Sequence, residues 1–433
     1  MPKVAFIGAG SVVFAQRLIS DILSFPELQG STLSLMDIDR ERIELSGRAA
    51  RMLISQNNLP AEVEWTTDRQ KALDGADYVI VMVQIGGLSA VELDINIPMS
   101  YGIDQDIGDS LGPGGVFRGL RTIPVLLDIC RDMEDLCPNA LLINYSNPMA
   151  LNCWGLSAGQ DKIKYVGLCH SVQGTAQNLC DDIKAPFEEV TYWVAGINHM
   201  AWFLKFEWNG KDAYPLLRRA MDDPQVWKLD KVRFEIMRHF GYFVTESSHH
   251  MSEYIPYFRK KAELIEEFLT PRYNYLRMCR EDWKPHYERM KKQVAGEEPL
   301  PEIKRSREYC SRIIHSMETD TPIRINGNVQ NTGLITNLPD GCIVEVPIIV
   351  DGTGLHPCYV GDLPSQCAAL NRTNINVQEL AVQAALEGSI DKLFMAIALD
   401  PLTGAVLDLR TIRKMVEEMV REENKQRPGF CIK

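Results

Sequence analysis

The stretch Lys3-Val4-Ala5-Phe6-Ile7-Gly8-Ala9-Gly10-Ser11 decides how the chain begins to fold. Its apolar run predicts a buried strand over residues 3–8, its two glycines a tight turn, and the pattern over 14–25 a helix. Glycine at 8 and 10 lets the backbone approach a pyrophosphate, and the following helix offers free N–H groups and the positive end of its dipole. Val13 stands where GxGxxG would have a third glycine. The next predicted strand, 32–37, runs into Met36-Asp37-Ile38-Asp39. An acid there accepts ribose hydroxyls and repels a 2′-phosphate, which favours NAD over NADP, with Gly8, Gly10, Ser11 and Asp37 as its contacts. The plain alternative is an ordinary α/β turn with Asp37 or Asp39 capping the next helix.

Outward from this turn the chain alternates strands and helices. Strands are predicted at 64–66, 77–83, 140–145 and 165–168, helices at 40–55, 117–136 and 173–182, and a long glycine-rich loop from 84 to 115. That order implies a doubly wound parallel sheet of Rossmann type over residues 1–190. Gln84 and Asn147, the latter in Asn144-Tyr145-Ser146-Asn147-Pro148, then fall at the carboxyl edge of the sheet, where such folds hold ligands. Beyond 190 the pattern becomes a mixed α+β lobe, 191–433. Strands at 191–196 and 201–206 flank Asn198-His199. Charged amphipathic helices follow at 230–240, 257–267, 282–294 and 307–317, then strands at 323–329 and 342–350 and helices at 377–387 and 408–422. Arg259-Lys260-Lys261 reads as a solvated helix face. No Pro/Gly/Ser-rich linker separates the lobes, so they are expected to share an interface.

Composition narrows the classes. The chain has 433 residues, 46 Lys+Arg against 58 Asp+Glu, a formal net charge of -12 and 45% hydrophobic residues. It is too apolar for a disordered protein, and its acidic surface repels nucleic acid. No charged segment followed by a long apolar run marks a secretion signal, and no run is long enough to span a bilayer. The 11 cysteines are odd in number and contain no CxxC, as expected for reduced thiols in a cytoplasmic protein.

Two segments carry chemistry at predicted strand ends. Cys169-His170-Ser171-Val172 follows one strand and Asn198-His199 another. A thiolate and an imidazole together bind a divalent metal and leave positions for substrate oxygens; the bland alternative is a buried thiol beside a hydrogen-bonded histidine. The polar run 245–254, Thr-Glu-Ser-Ser-His-His-Met-Ser-Glu-Tyr, reads either as a capped helix start or as a chemical segment.

At these residues the chain resembles the NAD- and metal-dependent glycoside hydrolases of family 4, especially the α-galactosidases of the melibiase type. The resemblance rests on Phe6 to Ser11, Gly112-Pro113-Gly114-Gly115, Arg118, Arg121-Thr122, Ser146-Asn147-Pro148-Met149, Cys169 to Thr175, Gly196-Ile197-Asn198-His199-Met200 and Gly241 to Ser248, and it runs nearly end to end. It implies a fold like that of lactate and malate dehydrogenases. It also implies an enzyme outside the two-carboxylate scheme of most glycosidases. In that chemistry NAD⁺ takes hydride from C3 of the sugar, a base removes the acidified C2 proton, the aglycone leaves by elimination, water adds, and hydride returns. A divalent metal, typically Mn²⁺, holds the C2 and C3 oxygens.

Carried over by position, Cys169 and His199 are the metal ligands and His170 the proton donor. Tyr254 is the first candidate for the base, with Tyr242 second. Asn147, Asn198 and Arg118 are substrate contacts. His170, where phosphoglycosidase branches carry Asp or Asn, argues for an unphosphorylated α-galactoside. The resemblance further implies a homodimer or homotetramer, with substrate, metal and subunit contacts in the second lobe. A glycosidase of the same family acting on a glucoside or hexuronide, and a 2-hydroxyacid-type dehydrogenase, are the competing readings.

Overall fold

The computed structural model describes residues 1–11 and 13–432. Its strands are β1 (Lys3–Ile7), β2 (Thr32–Met36), β3 (Glu62–Thr66), β4 (Tyr78–Val81), β5 (Leu141–Asn144), β6 (Tyr165–Gly167), β7 (Val190–Ile197), β8 (Met200–Trp208), β9 (Lys211–Asp212), β10 (Ile323–Gln330), β11 (Ile343–Asp351) and β12 (Gly354–Pro357). All join one sheet in the order β3-β2-β1-β4-β5-β6-β10-β11-β7-β8-β9, with β12 on β11. The first six are parallel, with β1 central and Val4 opposite both Leu33 and Tyr78. Every residue of β4 and β5 is buried, as a parallel strand covered by helices on both faces requires.

The remaining strands pair antiparallel. The β10–β11 hairpin inserts between β6 and β7, and each side is joined by one residue pair, Gly167 with Asn328 and Glu345 with Gly196. Side chains reinforce the seam. Asn328 donates to the Gly167 carbonyl at 3.2 Å and Asn326 to the Val194 carbonyl at 2.9 Å. No helix among the described residues is long and apolar enough to cross a membrane.

Three departures from the sequence reading have local causes. The expected loop 84–115 contains a helix, Gly87–Ser100, and the next helix starts early, at Gly112. Glycine and proline read as loop signals, yet here they serve close packing. A Cβ on Gly114 would lie 2.7 Å from the Asp94 and Gly108 carbonyl oxygens. A further helix, Met149–Gly159, escaped notice because it is apolar on most sides and shows no stripe. The helix expected at 377–387 begins at Ser365, since Asn371 and Asn374 are buried and bonded there. Asn371 accepts from the Trp202 indole at 3.0 Å and donates to the Met200 carbonyl at 2.7 Å, which outweighs its weak helix propensity.

Candidate active site

The glycine turn is built by exclusion. Gly8 and Ala9 both donate to the Met36 carbonyl at 2.9 Å. Gly8 sits at φ +95°, and a Cβ on it would lie 2.5 Å from the Met82 carbonyl oxygen. Asp37 accepts from the Gly10 amide at 2.8 Å and from the Asp39 amide at 2.9 Å, so it braces the turn. Asp39, not Asp37, caps the helix Arg40–Gln56. Ser11 accepts from the Phe14 amide at 3.4 Å as the first helix starts. A cradle that only glycine leaves open, against a helix N-terminus, fits the pyrophosphate of a dinucleotide. Gln84 is exposed just past β4, and Ser146 ties the neighbouring strand ends by accepting from the Val83 amide at 2.8 Å.

Past β6, Cys169 and His170 precede the helix Ser171–Ile183, while Asn198 and His199 form the turn of the β7–β8 hairpin. The Cys169 Sγ lies 3.4 Å from His199 Nε2. His199 Nδ1 is 2.8 Å from the Tyr254 hydroxyl, with the two rings parallel at 6.2 Å. The polar run 245–254 arrives at the same place. Its Glu246 and His250 join His199 so that one ligand atom from each lies within 4.8 Å of the others. The sequence leaves this run open between cap and chemistry; in the structure Ser247 caps the helix Ser248–Tyr254, and Glu246 and His250 stand beside His199.

Burial sets the electrostatics. It pushes the Cys169 thiol up to about 11 and the His250 imidazole down to about 4. Burial also works against charge on Glu246, but the imidazoles of His250, His199 and His170 hold its carboxyl below the usual range. A thiol, imidazoles and a carboxylate gathered at a largely buried site are the donor set a borderline-soft divalent cation takes.

The cluster opens on a cleft of about 280 Å³. Its wall joins Phe14 from the first helix with Asn147, Cys169, His170, His199 and Tyr273. The loop 104–111 closes one side and presents Asp109. Glu253 holds this loop, accepting from the backbone amides of Asp106 at 2.6 Å, Ile107 at 2.8 Å and Gly108 at 3.0 Å. Asp106 in turn accepts from Arg272 at 2.8 Å, and its carboxylate lies 3.3 Å from Arg259. Arg259 is therefore no solvated helix face. It is buried among Asp104, Asp106 and Glu253, outside any helix.

The other expected site residues are distributed unevenly. Asn147 lies on the wall and donates to Asp109 at 3.1 Å. Arg118 is buried behind it, 3.7 Å from Asp109 and 3.3 Å from the Tyr275 hydroxyl. Asn198 lies beside Glu345, a fully buried carboxyl that burial pushes up to about 7. Tyr254 is 2% exposed and sits behind His199 rather than on the wall, where its hydroxyl orients that imidazole. Tyr242 packs on Tyr214, away from the cleft. The tyrosines on the wall include Tyr273 and Tyr275, which sequence reading missed because their approach depends on Asp106, whose carboxylate accepts from Arg272 and whose carbonyl accepts from the Tyr275 amide.

The sequence model described as "Family 4 glycosyl hydrolase" matches residues 3–185, and that of the family's C-terminal domain matches 194–403. The chain belongs to glycosyl hydrolase family 4. Within the family it is 43% identical to an alpha-galactosidase of Bacillus subtilis over 97% of both chains. It is 38% identical to an alpha-galactosidase of Rhizobium meliloti over 99% of this chain and 90% of that one. The solved 6-phospho-alpha-glucosidase from gut microorganisms, in complex with NAD and Mn²⁺, superposes with a TM-score of 0.84 at 21% identity over all of both chains. The family 4 fold also extends to malate dehydrogenase of Plasmodium falciparum, with a TM-score of 0.55 at 13% identity over 91% of this chain and 100% of that one.

Proposed function

We propose that the chain is an NAD- and divalent-metal-dependent α-galactosidase that cleaves small α-galactosides. One observation carries the reading: the cluster Cys169, His199, Glu246 and His250 shares a single cleft with Phe14, at the start of the helix that leaves the glycine turn. Gly8, Gly10, Ser11 and Asp37 would hold the dinucleotide, with Gln84 and Asn147 beside it. Cys169 and His199 would hold the metal, with Glu246 and His250 in reach. When bound, NAD supplies hydride uptake and return at the sugar's C3, and Mn²⁺ or a similar ion supplies polarisation of the C2 and C3 oxygens.

The chain's own groups do the rest. Tyr254 fixes the His199 ring so that Nε2 faces the thiol. Tyr273, on the wall and 38% exposed, takes the place of Tyr254 as the group that receives the C2 proton, which it does as the phenolate, a form the bound cation would favour against the burial and the Glu246 and Asp109 carboxylates that push its hydroxyl up. His170 gives a proton to the departing oxygen. Asn147 and Asp109 meet sugar hydroxyls, and Arg118 supports them through Asp109 and Tyr275. Relatives at 30% identity bear the names alpha-glucosidase and alpha-galacturonidase. A neutral sugar is favoured here because the described wall residues include no lysine or arginine to pair a carboxylate or phosphate. Exposed Leu386, Met395 and Leu409 on the C-terminal helices, with Leu399 just past the end of one, support a homodimer or homotetramer, which light scattering tests.

The deciding assay supplies p-nitrophenyl α-galactoside, NAD⁺, Mn²⁺ and a thiol reductant. Nitrophenol is released without net NADH, and a chelator stops the release. Steady NADH accumulation without aglycone release replaces this reading with the dehydrogenase.

A further inference from the structure

Glu308 is a carboxyl the reaction described above does not use. It comes from the loop ahead of the helix Cys310–Thr319, far along the chain from the glycine turn and the β7–β8 hairpin. That loop is fixed: Asp21 of the first helix accepts from the Ser306 amide at 2.6 Å and from its hydroxyl at 2.5 Å, and Ser306 accepts from the Glu308 amide at 3.1 Å. Glu308 is 5% exposed, the Tyr145 hydroxyl lies against its carboxyl, and its Oε2 has no hydrogen-bond partner among the described residues. Its Oε1 lies 3.9 Å from His170 Nδ1. His170 stands on the cleft rim with its side chain 67% exposed, and no hydrogen bond to another side chain among the described residues orients it. A buried, underused acceptor facing one nitrogen of a loosely held imidazole is placed to fix the ring after a short closing movement, which leaves the opposite nitrogen toward the cleft.

We propose that Glu308 is the positioning residue for His170, accepting from its Nδ1–H so that the Nε2 proton faces the glycosidic oxygen. The inference rests on the reading of His170 as proton donor. In the step it serves, the C2–H electron pair becomes the C1–C2 double bond. The C1–O bond breaks with its pair on the aglycone oxygen, which takes the Nε2 proton. Tyr273 keeps the C2 proton.

The test compares wild type, Glu308→Gln, His170→Ala and the double variant, each with NAD⁺ and Mn²⁺, on two substrates. Nitrophenolate of p-nitrophenyl α-galactoside departs with little help, whereas the alkoxide of methyl α-galactoside needs a proton. Glu308→Gln, which keeps the side-chain volume, is expected to lower kcat on the methyl glycoside by about 10- to 100-fold, the range for partners that orient a reacting group, and far less on the nitrophenyl glycoside. His170→Ala gives the same skew, deeper, and the double variant is no worse than His170→Ala. Equal falls on both substrates in Glu308→Gln, with a skew retained in His170→Ala, overturn the positioning role alone. Equal falls in both single variants overturn the donor role of His170 and the positioning role with it. A wild-type protein that turns over neither substrate overturns the α-galactosidase reading.

Discussion

The two halves of the molecule face the same cleft by different means. In the parallel half the glycine turn, a helix N-terminus and the edge of strands β1, β4 and β5 offer backbone, and only the loops beyond the strands add side chains, those of Asp109, Asn147, Cys169 and His170. In the antiparallel half the contacts are buried, charged or polar side chains on loops, each held by another buried group. Backbone sites depend on neighbours in sequence. Side-chain sites depend on partners far along the chain, such as Glu253 on the amides of 106–108. The first kind tolerates change except at glycine; the second spreads the cost of one change across several elements.

The largest test of this contrast removes the thiol. Cys169→Ala should cut aglycone release by more than about 1,000-fold, because a bound metal contributes several kcal/mol to the barrier, while NAD binding followed by fluorescence stays close to wild type. Parallel loss of NAD affinity would merge the two regions into one site. Next, Glu253→Ala should cost about 3–5 kcal/mol in chemical denaturation, since it leaves the buried Arg259 and three amides short of their acceptor. Third, Tyr254→Phe should weaken Mn²⁺ affinity by about 10- to 100-fold with kcat at saturating Mn²⁺ largely kept. Collapse of kcat at saturating metal would return the base role to Tyr254.

On the backbone side, Gly8→Ala should destabilise by about 1–3 kcal/mol through its positive φ and weaken NAD binding without touching metal affinity. The smallest effect is in acid. Burial opposes charge on Asp106, but its bonds to His249 and Arg272 and the charge of Arg259 hold its carboxyl below the ordinary range. The folded state therefore binds its proton less readily than the unfolded one. That stability is complete above about pH 4 and is lost as pH falls through the lower, folded value, and Asp106→Asn flattens this part of the acid melting profile.

The same contrast decides what the sequence made legible. The parallel order, the turn at Gly8 and Gly10, and the strand-end placement of Cys169 and His199 follow from local pattern, and the structure brings those last two within 3.4 Å. Glu246 and His250 were visible as a polar run but not as cluster members, because Val244 must first pair with Trp202 to bring them in. Arg259 was misread because a run of basic residues usually faces water, and only Asp104, Asp106 and Glu253 make burial tolerable. Tyr254 occupied a plausible position in sequence. Its depth behind His199 is a property of packing that no spacing reports.

The β10–β11 hairpin lies in the sheet between the strand that leads to Cys169 and the strand that leads to His199. Yet it is made of residues 323–351, long after both have left the ribosome. A growing chain can therefore assemble its dinucleotide half early but acquires a finished reaction centre only once this late keystone slides into place, so nascent fragments stay chemically silent until then.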